Sequence, residues 1–445
     1  MSTSYRLGYM VPEFPRQTHV FFWRECQELR RLGVEPVFIS TRRPAADACP
    51  HAFGAEATAA THYLFPPSAA GVLSLLARPV GVARALRRWL SLGGSAKARL
   101  RHFGLIACAG EVVRYARRQG VSHIHVHSCA DAALVALFAQ DLGGPTYSLT
   151  LHNPLWGHGP NQREKWANAR FAVVVAKSFL ADVSRELKGH LPPHVYVAPM
   201  GVDLDRFDRP SPYLPWMGDG PLRIFACGRL NPCKGHDLLI AAVRAFVDDG
   251  LDVVLEIAGA DQDSGSGQFL RDLEELIGSL KLTDRVTLAG ALTEDEIRQR
   301  LDRAHLFVLA SRSGEAMPVV LIEAMAMRLP VVATEVGGTT ELVRYGENGF
   351  VVPPGDVPAL TAAVRRIATD PALATRFGVA GRATVEAGFG SGRSAATLAA
   401  ALGWTAPAPA ENVEVACPAL WDAVPFERRS GLSGTPTRNL NRDRP

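Results

Sequence analysis

The chain of 445 residues has no C-x-x-C pair. Its seven cysteines are scattered from Cys26 to Cys417, and their number is odd. A disulfide framework and a zinc site of ordinary ligand spacing are therefore not expected. No uninterrupted apolar run approaches the ~18 residues that a membrane-spanning helix needs. The opening MSTSYRLGYMVPEFP has no basic region followed by an apolar stretch, so no secretory leader is read and a cytoplasmic location is expected. The net charge of +4 is too small to argue for a nucleic-acid partner.

Composition is that of a globular protein, with 47% apolar and 21% charged residues. Because single cores stop growing near ~250–300 residues, this length predicts two or three domains. The pattern begins with a strand, Arg6 to Val11, a polar loop, Pro12 to Thr18, a helix, His19 to Leu32, and a second strand, Val34 to Ser40. That order opens a parallel, doubly wound sheet. Further strands are predicted at His123–His127, Thr146–Leu151, Phe171–Ala176 and Val195–Ala198. Pro199 to Pro221 has the Pro, Gly and Asp content of a linker. A second series follows, with strands at Leu222–Cys227, Val253–Ala258, Val286–Leu288, Leu306–Leu309 and Val331–Thr334. Two such series joined by a hinge place a ligand cleft between them.

Two stretches stand apart. Between Ala57 and Gly110 there is no Asp or Glu, while Arg78, Arg84, Arg87, Arg88, Lys97, Arg99 and Arg101 lie among leucines and Trp89. A basic, apolar helix over 78–101 fits an anionic membrane face, or else a solvated surface helix. After Gly403 the chain carries six prolines and no period, which predicts disorder over 404–445.

Three segments carry chemistry. GRLNPCKG, Gly228 to Gly235, follows the first strand of the second series. Gly228 suits a sharp turn, and Arg229 and Lys234 suit a diphosphate. GEAMPVVLIEAMAM spans Gly314 to Met327, with Pro318 at the first helical position. The amides of Ala316, Met317, Pro318's neighbours and Val319 then form an anion site at a helix start. Glu315 and Glu323, with seven residues between them, can accept hydrogen bonds from sugar and ribose hydroxyls. TEVGGTTELV, Thr334 to Val343, adds Gly337 and Gly338, read as allowing close approach to a ligand, and Glu341, read as a helix-start acid.

The order G-R-L-x-x-x-K-G, Glu-x7-Glu with EAMA, then V-G-G-x-x-E-L-V resembles the retaining family 4 glycosyltransferases of the GT-B fold. PMGVDLDRF, Pro199 to Phe207, resembles their interdomain segment, with Met200 where Asn is usual. GYMVPEFPRQTHVFFWRE and HIHVHSCADAALVALF look most like members that build bacterial exopolysaccharides of the colanic-acid type. The resemblance covers roughly residues 5 to 400.

It implies an α/β protein with two facing Rossmann-like domains and a cleft between them. The expected division is an acceptor-side domain, 1–200, a linker, 201–221, a donor domain, 222–385, and a C-terminal helix, 386–403, returning to the first domain. Arg229 and Lys234 should bind the donor diphosphate, Glu315 the donor sugar, and Glu323 the ribose. Gly228, Ala316, Met317, Pro318 and Val319 complete the donor site. His127 matches the active-site histidine of the first domain; as residue types alone, His123, His125 and His127 also fit one satisfied strand face. His152 and Arg16 are candidates for the acceptor side, Arg16 because the loop 12–18 lacks the Gly-Gly pair of many relatives.

No cofactor or metal is expected. Asp203-Leu204-Asp205 reads D-x-D but sits in the linker. The expected partners are a UDP- or GDP-sugar and a glycan acceptor, such as a lipid-linked oligosaccharide. The expected place is the cytoplasm, peripheral on the inner face of the plasma membrane. An epimerase or hydrolase of nucleotide sugars and a non-catalytic sugar-nucleotide binder are the competing functions.

Overall fold

A computed structural model of the protein describes residues 5–260 and 267–404. The predicted tail lies, from residue 405 onward, outside the described residues.

Two all-parallel sheets organise the chain. The first runs in the order β3-β2-β1-β4-β5-β6-β7. Its strands are β1 Tyr5–Met10, β2 Val34–Ser40, β3 His62–Tyr63, β4 His123–Val126, β5 Thr146–Leu151, β6 Ala172–Val174 and β7 Val195–Val197. The second runs β10-β9-β8-β11-β12-β13. It comprises β8 Leu222–Cys227, β9 Val253–Ala258, β10 Val286–Gly290, β11 Leu306–Leu309, β12 Val331–Thr334 and β13 Phe350–Val352. Strands β4, β11 and β12 are buried along their whole length, as parallel strands covered on both faces must be.

In each sheet the strand order reverses at one place, between β1 and β4 and between β8 and β11. Met10 pairs with Val126 at the first reversal, and Phe307 pairs with Phe225 at the second. Ligands in such sheets sit outside the carboxyl ends of the strands at the reversal. Residues 11–19 and 127–128 in the first half, and 228–234 and 310–319 in the second, follow those ends.

The segment after β7 does not behave as a loose linker. Val202 donates to Phe389 O at 3.0 Å and accepts from Ser391 N at 2.9 Å, so the chain's two passages between the halves run side by side. Phe207 is fully buried, and Arg209 donates to the backbone carbonyls of Leu301 and Met327 at 3.3 and 3.4 Å. The single C-terminal helix expected over 386–403 is the end of one helix, Pro371–Gly388, then a turn, then a second helix, Gly392–Ala401. The second helix packs on Val20–Arg31 of the first half, and Trp404 stacks on Tyr5 with ring centroids 5.1 Å apart.

The basic stretch 78–101 is likewise not one helix. Pro79–Ser91 ends before Gly93-Gly94, and Ala96–Gln119 starts afresh with Ser95 accepting from Ala98 N. Arg88 is spent on packing: it grips Asp141 bidentately at 2.7 and 2.9 Å. Arg101 pairs with Asp131 at 3.2 Å. Exposed apolar side chains remain beside the cations, with Leu100 at 73% and Val80 at 66% exposure. Among the described residues no helix is long and apolar enough to cross a membrane.

Candidate active site in the cleft

A cavity of about 470 Å³ opens between the two halves, at the carboxyl ends of both sheets. Gly228, Arg229, Lys234, the run Gly314–Val320 and Glu323 line one side; His127, His152 and residues 17–22 line the other. Every residue named for a donor, catalytic or acceptor role except Arg16 is in its wall, whereas Gly337 and Gly338 are not.

On the second-half side, Lys234 Nζ donates to Glu315 Oε1 at 2.5 Å, and Ser311 Oγ donates to the same oxygen at 2.6 Å. The ammonium and the carboxylate are both largely buried, so each orients the other. Pro318 is the cap residue before the helix Val319–Ala326, one position earlier than expected. Gly337 has a φ of +55°, and a Cβ there would lie 1.7 Å from Glu315 O. Gly338 N donates to Ala316 O at 2.8 Å. The glycine pair therefore brings its own backbone against the 315–316 segment, and the close approach is to protein rather than to ligand. Gly228 has no left-handed φ either. That demand falls on Gly259, at φ +154°, whose Cβ would sit 1.9 Å from Gly228 O.

Glu323, the expected ribose ligand, has a protein partner from the other half. It accepts from Arg24 Nη2 at 2.5 Å, and Arg24 also donates to Glu294 Oε1, through Nε at 2.9 Å and Nη2 at 2.7 Å. Arg24 comes from the helix Val20–Arg31 of the first half. Burial pushes the Glu323 carboxyl above its ordinary range, with Arg24 pulling the other way.

On the first-half side, β4 carries His123, His125 and His127 on one face. The first two are satisfied core residues. His123 meets Thr146 and Ser148 at 2.7 and 2.8 Å, and His125 meets Ser148 and Thr150 at 2.7 and 2.6 Å. His127, just past the strand end, reaches the cavity instead. Its Nδ1 lies 3.1 Å from His152 Nε2. Its Nε2 faces Glu25 Oε2 at 3.3 Å without hydrogen-bond geometry. Burial, then the neighbouring His125 and His152, holds His127 well below its ordinary range. Burial also lowers His152 to about 3. Both imidazoles are neutral hydrogen-bonding groups at pH 7. Tyr9 Oη donates to Glu25 Oε2 at 2.5 Å, and burial raises the Glu25 carboxyl to about 7.

Arg16 turns away from the cavity. Its guanidinium is held by Glu13 at 2.9 Å within the same loop, so Gln17, Thr18 and His19 face the space instead. Asp203 of the D-x-D sequence caps a turn, its Oδ1 accepting from Asp205 N and Arg206 N at 3.1 Å each. Among the described residues, no three His, Cys, Asp or Glu side chains converge as metal ligands. Met200, in the place of the usual Asn, is buried and lines the cavity.

Sequence reasoning missed Arg24, Glu25, Glu294 and Ser311. Glu341 does lie in the first turn of a short helix, Thr339–Leu342, and its carboxylate also accepts Lys177 N and Ser178 N of the first half at 2.8 and 2.9 Å.

Residues 218–384 match the family described as glycosyl transferases group 1. The putative colanic acid biosynthesis glycosyltransferase WcaL of Salmonella typhimurium is 36% identical over 176 residues, 38% of this chain and 41% of that protein. A GDP-mannose-dependent alpha-(1-6)-phosphatidylinositol monomannoside mannosyltransferase of Mycolicibacterium smegmatis is 33% identical over 231 residues, 49% of this chain and 55% of that protein. The matches thus span about half or less of these relatives' length. The crystal structure of Anabaena HepE in complex with UDP-glucose superposes with a TM-score of 0.68 at 18% identity, covering 90% of this chain and all of that one. Residues 218–384 thus match glycosyl transferases group 1, on a chain with the two-sheet GT-B fold.

Proposed function

We propose that the protein is a retaining glycosyltransferase that moves a sugar from a UDP- or GDP-sugar to a glycan acceptor, a lipid-linked oligosaccharide of exopolysaccharide synthesis. One observation carries this reading: Arg229, Lys234, Glu315, Glu323 and the 314–319 segment share one cavity with His127 and His152 of the opposite half. The relatives named for colanic acid synthesis and for GDP-mannose use, and the fold shared with a UDP-glucose complex, support it.

In this reading Arg229 and Lys234 hold the donor diphosphate, and Glu315 and Glu323 accept from sugar and ribose hydroxyls. The bond from the anomeric carbon to the phosphate oxygen breaks as the bond to the acceptor oxygen forms on the same face. The departing phosphate oxygen takes the acceptor hydroxyl's proton. Two fixed cations and the amides before Val319, in place of a divalent ion, meet the charge growing on the diphosphate. Preorganised donors of this kind are worth about 3–4 kcal/mol each. Neutral His127 donates or accepts a hydrogen bond at the donor sugar without adding charge. The hydrocarbon-and-cation surface of 78–101 rests on an anionic membrane, near the acceptor's lipid.

Release of nucleoside diphosphate from UDP-glucose or GDP-mannose, with and without a lipid-linked glycan, tests the reading. Acceptor-dependent release, with the donor's anomeric configuration kept in the product, is expected. Consumption that ignores the acceptor means a hydrolase or epimerase instead, and a trapped glycosyl-enzyme overturns the one-face route. Sedimentation with phosphatidylglycerol vesicles at low salt, reversed at high salt, tests the membrane face.

A further inference from the structure

Arg24, from the first half, grips a predicted donor ligand of the second. It is 6% exposed, and so is almost wholly removed from water. Its guanidinium lies between two carboxylates, Glu323 at 2.5 Å and Glu294 at 2.7 Å, and over the ring of Phe207 at 4.9 Å. Its third nitrogen, Nη1, is buried with no hydrogen-bond partner. Glu294 and Glu323 both line the cavity, whereas Arg24 stands behind them.

The charge pattern explains why a cation is there. Without it, two carboxylates would face each other in a buried wall, and like charges so placed cannot both stay ionised. Glu323 would take up a proton and lose acceptor capacity for ribose hydroxyls. Its other neighbours do not replace Arg24. Cys227, on β8, is a thiol whose own ionisation burial opposes. Arg206, from the segment after β7, reaches Glu294 at 3.4 Å and Asp295 at 2.9 Å. His51 faces Glu294 and Arg24 but is lowered by burial, hence neutral.

We infer that Arg24 is the positioning residue of the ribose site, holding Glu323 as an aligned carboxylate from the acceptor-side half. Nucleotide recognition is then complete only while the two halves are together. This rests on the donor reading of Glu323, and deepens it by making the ribose hydroxyls the part of the donor that senses closure.

Calorimetric binding of UDP (or GDP, whichever binds) and of its 2′,3′-dideoxy analogue, from pH 6 to 9, tests this. Wild type, Arg24→Met, Arg24→Lys and Glu323→Gln are compared. A hydrogen bond to a charged group corresponds to roughly tenfold in affinity or more, so wild type should prefer the ribose form by that factor at every pH. Arg24→Met should lose the preference at pH 6 and recover it as pH rises and Glu323 ionises. Binding of the dideoxy form at wild-type strength shows that this variant's site is folded. If it binds neither form, Arg24→Lys decides, because an ammonium cannot span both carboxylates and its preference should fall several-fold. An undiminished preference with a flat pH profile in the Arg24 variants overturns the inference. If Glu323→Gln also keeps the preference, the donor reading of Glu323 fails instead.

Discussion

Glu25 Oε2 accepts the Tyr9 hydroxyl at 2.5 Å and faces His127 Nε2 at 3.3 Å, so a carboxyl raised to about 7 stands behind the cavity histidine. A raised carboxyl is held more tightly by protons in the folded state. Its burial costs nothing below the ordinary carboxyl range and destabilises as pH rises toward 7. The shift corresponds to about 3 kcal/mol. Urea unfolding between pH 4 and 8 should therefore show wild type losing about that much more stability than Glu25→Gln. Parallel pH profiles would mean that Glu25 is not held this way.

The contact from Glu341 to the start of the helix Lys177–Glu186 joins the two halves at a second place. That helix has no side-chain cap of its own from Ala176. Removing a cap carboxylate costs about 1 kcal/mol, with a further salt-dependent part from the helix dipole. Glu341→Ala should lose about 1–2 kcal/mol in urea unfolding at low salt, and less at high salt. Unchanged stability at low salt would show that the contact contributes nothing.

Gly337 fixes the 314–319 segment through backbone contact alone. Gly337→Ala puts a methyl group into Glu315 O and an L side chain at φ +55°. A strained φ of this kind costs on the order of 1–3 kcal/mol before the clash is counted. The segment should shift, weakening nucleotide binding by tenfold or more in calorimetry while the far-UV circular dichroism stays native. Wild-type affinity in this variant would separate the segment from the donor site.

Much of the fold was legible because parallel strands announce themselves locally. Runs such as Leu306–Leu309 and Val331–Thr334 are short, apolar and followed by glycine or acidic turns. Lys234 and Glu315 were legible as site candidates because each lies in the loop after a strand end, and Glu323 because it lies in the helix that the second of those loops leads into. What escaped was set by contacts distant in sequence. Arg24 and Glu323 are 299 residues apart, and nothing around Arg24 distinguishes it from a surface arginine of an amphipathic helix. The break at Gly93-Gly94 was overlooked because continuous basic charge masked two glycines that end one helix before Ser95 caps the next. Arg16 looked free in sequence, but its partner Glu13 is three residues away and takes it.

In the proposed function Lys234, held by Glu315, is the cation of a nucleotide-sugar diphosphate site. Calorimetric titration of UDP, GDP and ADP into wild type and Lys234→Ala tests it most directly. One of the three should bind wild type well above the others, and the variant should lose that binding by tenfold or more, as removal of a charged hydrogen-bond donor implies. Binding that survives in Lys234→Ala, or a folded wild type that binds no nucleotide, would contradict it.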